Sequence, residues 1–315
     1  MHLINIVPVG TKIDFMKYRR IAGYCSLILC IVSVALFSIR GLNYGIDFRG
    51  GILLEIRTPG PANIASLRST LNGLGLGEVQ LQQFGKPTDV LIRIEKQSGD
   101  EKAQLAAIQK AKGALGTHVD YLRTEFVGPK VGSELITAGI TAVVLALAAM
   151  LVYIWFRFEW QFGVGGITAL YHDVIMTIGV FSLLQMEFNL STVAAVLTIA
   201  GYSINDTVVV FDRVRENLRK YKQMPFSDLI NLSLNETLSR TLLTSLTTLI
   251  ALVALYAVGG EVIRGFSFAM IWGIVVGTYS SIFIAVPLLI KMKLRRSGMI
   301  IGETVQDTPA DTSAS

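Results

Sequence analysis

The sequence predicts a mainly α-helical polytopic membrane protein, with six transmembrane helices and one α+β domain between the first and second. Three observations carry that prediction. Of 315 residues, 52% are hydrophobic and only 16% charged, too apolar for an ordinary soluble domain. Six runs of nineteen or more residues hold few or no charges, enough to cross a hydrocarbon layer of about 30 Å. The cations gather at alternate connections between those runs, which is how topology determinants are distributed. The net charge of +5 is therefore no argument for nucleic acid. Cys25 and Cys30 lie five apart in the first run on different helix faces, so they report neither a disulfide framework nor a metal site.

The first span is Ile21 to Ile39, within the range 21–40, and the segment 1–20 before it is expected in the cytoplasm. A secretory leader would have a shorter apolar core and a small-residue cleavage site. Arg40 to Gly51 holds no such site, so the helix is expected to be retained. From 41 to 130 the composition becomes that of a soluble, extracytoplasmic domain. Strands are predicted at Ile52–Thr58, Val79–Phe84, Val90–Glu95 and Val119–Phe126, and helices at Ala62–Leu74 and Glu101–Leu115. That order, βαββαβ, is the split arrangement of ferredoxin-like domains. Gly73, Gly75 and Gly77 follow a helix rather than a strand, which suits helix termination better than a nucleotide loop. The domain opens with GIDFRGG at Gly45 to Gly51, a glycine-bracketed turn holding Asp47, Phe48, Arg49, Gly50 and Gly51, in which Asp47 and Arg49 could pair locally.

The range 131–296 holds the other five spans: Leu135–Phe156, Phe162–Met186, Phe188–Phe211, Thr241–Gly260 and Gly265–Ile290. Between the fourth and fifth, a link at 212–239 is expected in the cytoplasm. Phe226, Leu229, Ile230, Leu234 and Leu238 recur there at helical spacing, which suits an amphipathic helix lying at the interface or packing on the bundle. The tail 297–315 is small, polar and expected to be disordered. Lys12, Lys17, Arg19, Arg20, Arg157, Arg213, Arg215, Arg219, Lys220, Lys222, Lys291, Lys293, Arg295 and Arg296 all fall on one side. By the positive-inside rule both termini are cytoplasmic.

Polar residues inside the spans are the functional candidates. Asp206, beside Asn205, lies in an apolar run, where an Asp costs roughly 2.5 to 3.5 kcal/mol on insertion scales and therefore calls for a partner. Arg240 opens the fifth span with Thr244 and Thr248 on one face, and an Asp206–Arg240 pair would offset both desolvation costs. Snorkelling of Arg240 to the interface is the bland alternative. His172 and Asp173 sit near the middle of the third span. With no second histidine in any span they make a poor metal site and suit a second proton-binding or hydrogen-bonding site. Gly273, Gly277 and Ser281, four apart in the sixth span, form a small-residue packing face. Asp206 falls five residues before the predicted end of its span at Phe211, shallow for a relay.

Together GIDFRGG, EFVGPKVG at Glu125 to Gly132, RFEW at Arg157 to Trp160, His172–Asp173 and GYSINDTVVVFDRVREN at Gly201 to Asn217 resemble the SecD/SecF family of protein-export membrane proteins, its SecF members in particular. The resemblance runs from about Asp14 to Arg296. It implies the architecture of the resistance-nodulation-division superfamily and a complex with SecD beside the SecYEG translocon of the bacterial inner membrane, with YajC and YidC as further candidate partners. It also implies use of the proton motive force to draw unfolded preproteins outward. Among matching positions, it points to Asp206 as proton carrier and to Arg240 as its partner, with Thr244 one turn on. It implies no enzyme active site, and no cofactor or metal is expected. The competing class is a proton-coupled exporter of small molecules or lipids, which generally carries about twelve helices in one chain; a structural scaffold is the third.

Overall fold

The computed structural model describes residues 11–259 and 261–292. The expected tail at 297–315, with Lys293, Arg295 and Arg296, lies outside them. A 3-10 turn at Phe15–Tyr18 leads into α1 (Arg19–Arg40). The domain then follows as β1 (Asn43–Tyr44), α2 (Ile46–Arg49), β2 (Gly51–Arg57), α3 (Ile64–Asn72), β3 (Val79–Gln83), β4 (Asp89–Ile94), α4 (Glu101–Leu115) and β5 (Asp120–Val127). The chain returns through α5 (Pro129–Arg157), α6 (Trp160–Leu184), β6 (Glu187–Phe188), α7 (Leu190–Lys220), α8 (Phe226–Val258) and α9 (Glu261–Ser280). A wide π turn at Ser281–Ala285 and α10 (Val286–Lys291) complete the last span. Among the described residues six helices or helix stacks are long and apolar enough to cross a membrane, and the chain is a multi-pass membrane protein.

In the domain the strands order as β3-β4-β2-β5, every neighbour antiparallel. Ile52, Leu54 and Ile56 alternate along β2 and turn one face onto Leu71 of α3 and Ala107, Ile108 and Ala111 of α4, all buried. Asn63 and Asp100 cap these two helices through their side chains. Gly73 closes α3, as expected of helix termination.

The bundle inverts the soluble pattern. Large apolar side chains on α1, α5 and α8, such as Leu27, Ile31, Leu145 and Ile250, are exposed where a bilayer covers them. Its interior is knit by α7, which packs on α6, α8 and α9. The stripe Gly273, Gly277 and Ser281 lies turn by turn on Ile199, Ser203 and Thr207. Gly273 faces the Ile199 side chain, a Cβ on Gly277 would stand 3.1 Å from that of Ser203, and the Ser281 and Thr207 hydroxyls bond at 2.9 Å. The wide turn at Ser281–Ala285 precedes Pro287, whose missing N–H and bulky ring oppose an ordinary α turn against the carbonyl of Phe283.

One expectation about the elements is corrected. The residues 212–239 do not form a separate surface link. Residues 212–220 are the last turns of α7, and α8 runs unbroken from Phe226 to Val258, leaving only 221–225 as connection. Of the open alternatives for its apolar face, packing wins: Leu229, Ile230, Leu234 and Leu238 are buried in the bundle core with Phe162, Phe211 and Leu289. The segment before α1 is fastened to the same part of α8. The Ile13 N–H donates to Asn235 Oδ1 at 2.9 Å, the Asn235 amide donates back to the Ile13 carbonyl at 2.9 Å, and the Met16 N–H donates to Asn231 Oδ1 at 3.1 Å.

Candidate functional site

Among the described residues two carboxylates are buried inside the bundle, and their surroundings differ. Asp173, on α6, is fully buried. His172 Nδ1 stands 2.9 Å from its Oδ1, within hydrogen-bond distance. Its Oδ2 accepts from the Ser203 hydroxyl of α7 and, at 2.8 Å, from the Ser280 hydroxyl of α9. Three helices thus converge on one carboxylate with both oxygens engaged. Buried polar groups held this way fix an arrangement.

Asp206 lies one turn beyond Ser203 on α7 and is 3% exposed. Its Oδ2 is buried and has no hydrogen-bond partner among the described residues. The groups acting on it are the Arg240 guanidinium of α8, through space, and the Thr278 hydroxyl of α9. Thr278 is in turn bonded to the Ser245 hydroxyl of α8 at 2.9 Å. No ion pair of 4.0 Å or less joins Asp206 to Arg240 among the described residues, so the expected contact pair is not formed in this arrangement. The helix itself continues past the hydropathy boundary at Phe211, with about four further turns between Asp206 and the end of α7 at Lys220.

Arg240 and Thr244 face outward on α8, and Thr244 Oγ1 donates to the backbone carbonyls of Arg240 and Thr241 at 3.1 and 2.9 Å. Asn205 is likewise exposed, on the outer side of α7 with Thr198 and Gly201. The structure therefore brings Asp206 and Arg240 to one neighbourhood and leaves Asn205 and Thr244 on the open face beside it. His172 and Asp173 join this region through Ser203. Sequence reasoning missed Ser203, Ser280, Thr278 and Ser245. The only signal was the four-residue spacing of Ser203 with Thr207, matching that of Gly277 with Ser281.

The glycine-bracketed turn is one helical turn, Ile46–Arg49, followed by two glycines. Gly50 and Gly51 have φ of 72° and 116°, and a Cβ on Gly51 would stand 2.6 Å from the Ile94 carbonyl, so both positions require glycine. Asp47 does not pair with Arg49. Its Oδ2 accepts from the Leu190 N–H at 2.8 Å, at the first residue of α7, where the helix dipole favours an anion. Phe48 stacks on Phe188 with centroids 6.2 Å apart. β1 pairs parallel with β6, Asn43 opposite Glu187 and Tyr44 opposite Phe188. From β4, Arg93 donates to Glu187 at 2.6 Å and to Asn43 Oδ1 at 3.3 Å. The turn thus ties the domain to the start of the helix that carries Asp206.

Residues 107–295 match the family described as protein export membrane protein SecD/SecF, C-terminal, and residues 35–58 match the SecD/SecF GG motif. The chain belongs to the SecD/SecF family. It is 47% identical over 290 residues to the protein translocase subunit SecF of Rickettsia rickettsii, covering 91% of this chain and 94% of that one. It is 45% identical over 304 residues to that of Cereibacter sphaeroides, covering 94% of each. It superposes with a TM-score of 0.82 on the crystal structure of SecDF, a translocon-associated membrane protein from Thermus thermophilus, at 37% identity. That match covers 92% of this chain and 40% of the SecDF chain. Against SecDF in its super-membrane-facing form the TM-score is 0.68 at the same identity and coverage. The SecD/SecF GG motif match spans the turn and the two glycines whose geometry is described above.

Proposed function

We propose that this chain is the SecF-like subunit of an accessory complex of the Sec translocon, in the bacterial inner membrane with both termini cytoplasmic. In it, protonation of Asp206 biases the bundle between two arrangements and the extracytoplasmic domain follows. The observation that carries the reading is the contrast between the two intramembrane carboxylates. Asp173 is saturated by His172, Ser203 and Ser280, whereas Asp206 is buried with an unengaged oxygen in front of Arg240. A proton arriving at Asp206 changes the charge that Arg240 faces, and two helices whose spacing depends on that charge repack. One proton crossing a potential of about 100 mV supplies roughly 2.3 kcal/mol, enough to shift a bistable bundle.

The route to the outer domain is short: α7 carries Asp206, and its first N–H is held by Asp47 of the GG turn. The open face with Asn205, Arg240 and Thr244 is too polar for lipid and suits a second helix bundle, which supports association with a SecD partner. YajC, YidC, SecYEG and an unfolded preprotein complete the assembly in this reading, and protons drive it. The test is Asp206→Asn in inverted membrane vesicles carrying the complex. Preprotein translocation should lose its stimulation by a proton gradient while ATP-driven translocation persists; wild-type stimulation in the variant overturns the reading.

A further inference from the structure

At the end of the bundle opposite the α+β domain, an open cavity of about 470 Å³ lies between the last turn of α5 and the last turns of α7. Arg157, Asp212, Arg215, Glu216, Arg219 and Lys220 line it. Both carboxylates are already engaged: Asp212 by Arg157 at 2.7 Å, and Glu216 by Arg213 at 2.6 Å from outside the cavity. Arg215 and Arg219 have no carboxylate within ion-pair distance among the described residues, whereas the Lys220 ammonium faces Glu236 through space and rests over the Tyr221 ring at 5.1 Å. A concave wall with two guanidinium groups lacking ion-paired carboxylates is a receptor for an anion, and the planar guanidinium fork fits phosphate oxygens in pairs.

The position of the mouth indicates the anion's source. Trp155, Phe156 and Trp160, flanking Arg157, are 75%, 86% and 59% exposed. Exposed tryptophans at a helix end mark headgroup depth. From there toward the bundle centre α5 presents Val152, Leu145 and Val144, all exposed, an apolar wall for acyl chains. We infer that this cavity binds the phosphate of an anionic phospholipid, with the lipid tails along α5. A mere topology determinant needs only the number of cations, not a cavity, and a soluble phosphate needs neither the aromatic rim nor the apolar wall. The inference rests on the bundle crossing a bilayer and is independent of protein export.

The full chain, purified with its native partners, is equilibrated with phosphatidylglycerol and phosphatidylcholine and its retained lipid is counted by native mass spectrometry. Wild type should retain phosphatidylglycerol in preference to phosphatidylcholine. The preference should fall at least fivefold in Arg215→Gln/Arg219→Gln and persist in the charge-matched control Arg19→Gln/Arg20→Gln. Inorganic phosphate at millimolar concentration should not displace the lipid. An unchanged preference in the cavity variant, equal loss in the control, or full displacement by phosphate each overturns the inference, the last in favour of a free-anion site. A measurement on the unaltered chain guards against misfolding: phenylglyoxal labelling of Arg215 should slow in phosphatidylglycerol vesicles relative to phosphatidylcholine vesicles, and equal rates overturn the inference.

Discussion

At the scale of single residues, the bundle separates two carboxylates of the same type by the hydrogen bonds each receives. Asp173→Asn replaces an acceptor with a donor in front of the Ser203 and Ser280 hydroxyls, and should destabilise the purified protein by about 1 to 3 kcal/mol in thermal melts. Asp206→Asn, with no comparable network to break, should leave the melt within about 0.5 kcal/mol of wild type while abolishing proton coupling. A different carboxylate sets an acid limit. Asp89 lies opposite Arg57 across the β2–β4 pair, with guanidinium nitrogens 2.7 and 2.8 Å from its oxygens. That hydrogen-bonded guanidinium holds the Asp89 carboxyl well below the usual carboxylate range, at about 2. The pair's contribution is therefore fully present above the ordinary carboxylate pKa near 4 and is lost as pH falls through about 2. Asp89→Asn should flatten the fall of melting temperature between pH 4 and 2, and an unaltered slope would refute the assignment. Asp206, Arg240, His172 and Asp173 were legible because a charge in an apolar run stands out. Ser203, Ser280 and Thr278 were not, because a helical hydroxyl can bond its own backbone and costs an apolar run little.

At the scale of elements, the sixth span owes its fit to residues without bulk. Gly273 faces Ile199 so closely that any side chain displaces it. Gly273→Leu should destabilise the bundle by about 1 to 3 kcal/mol through overpacking, read as a lowered melting temperature, whereas Ser281→Ala should remove only the hydroxyl's bonds to Thr207 and to the Gly277 carbonyl. The small-residue spacing that marks this face was visible in the sequence. The fate of residues 212–239 was not. Apolar residues at helical spacing look alike whether they meet lipid or protein, and Asp228, Glu236 and Arg240 end any hydropathy window before the helix ends. The missing clue was the lack of any Gly or Pro from Phe226 to Val258, which leaves nothing to stop one helix until Gly259. What the charges there do is local: Arg213 binds Glu216 and Glu236, and the buried Asn217 amide donates to Ser233 and Glu236 at 3.0 and 2.7 Å.

At the scale of the whole molecule, domain and bundle meet through few groups, so each matters. Asp47→Ala removes the acceptor from the first N–H of α7, at a cost of about 1 kcal/mol, and should speed hydrogen exchange of the Leu190 amide roughly fivefold. Asp47→Asn, which keeps an acceptor, should restore most of the protection. The positions of the domain's four longer strands were legible in its alternating pattern, but the β1–β6 pairing was not, since two-residue strands carry no period. That pairing also orders events in time. The domain's core draws only on residues between Ile52 and Phe126, whereas Asn43 and Tyr44 must wait for Glu187 and Phe188, more than 140 positions later. During synthesis the domain can complete its own sheet early and stay undocked until the third and fourth spans have been made. The docked state therefore reports that the membrane hairpin behind it has been built.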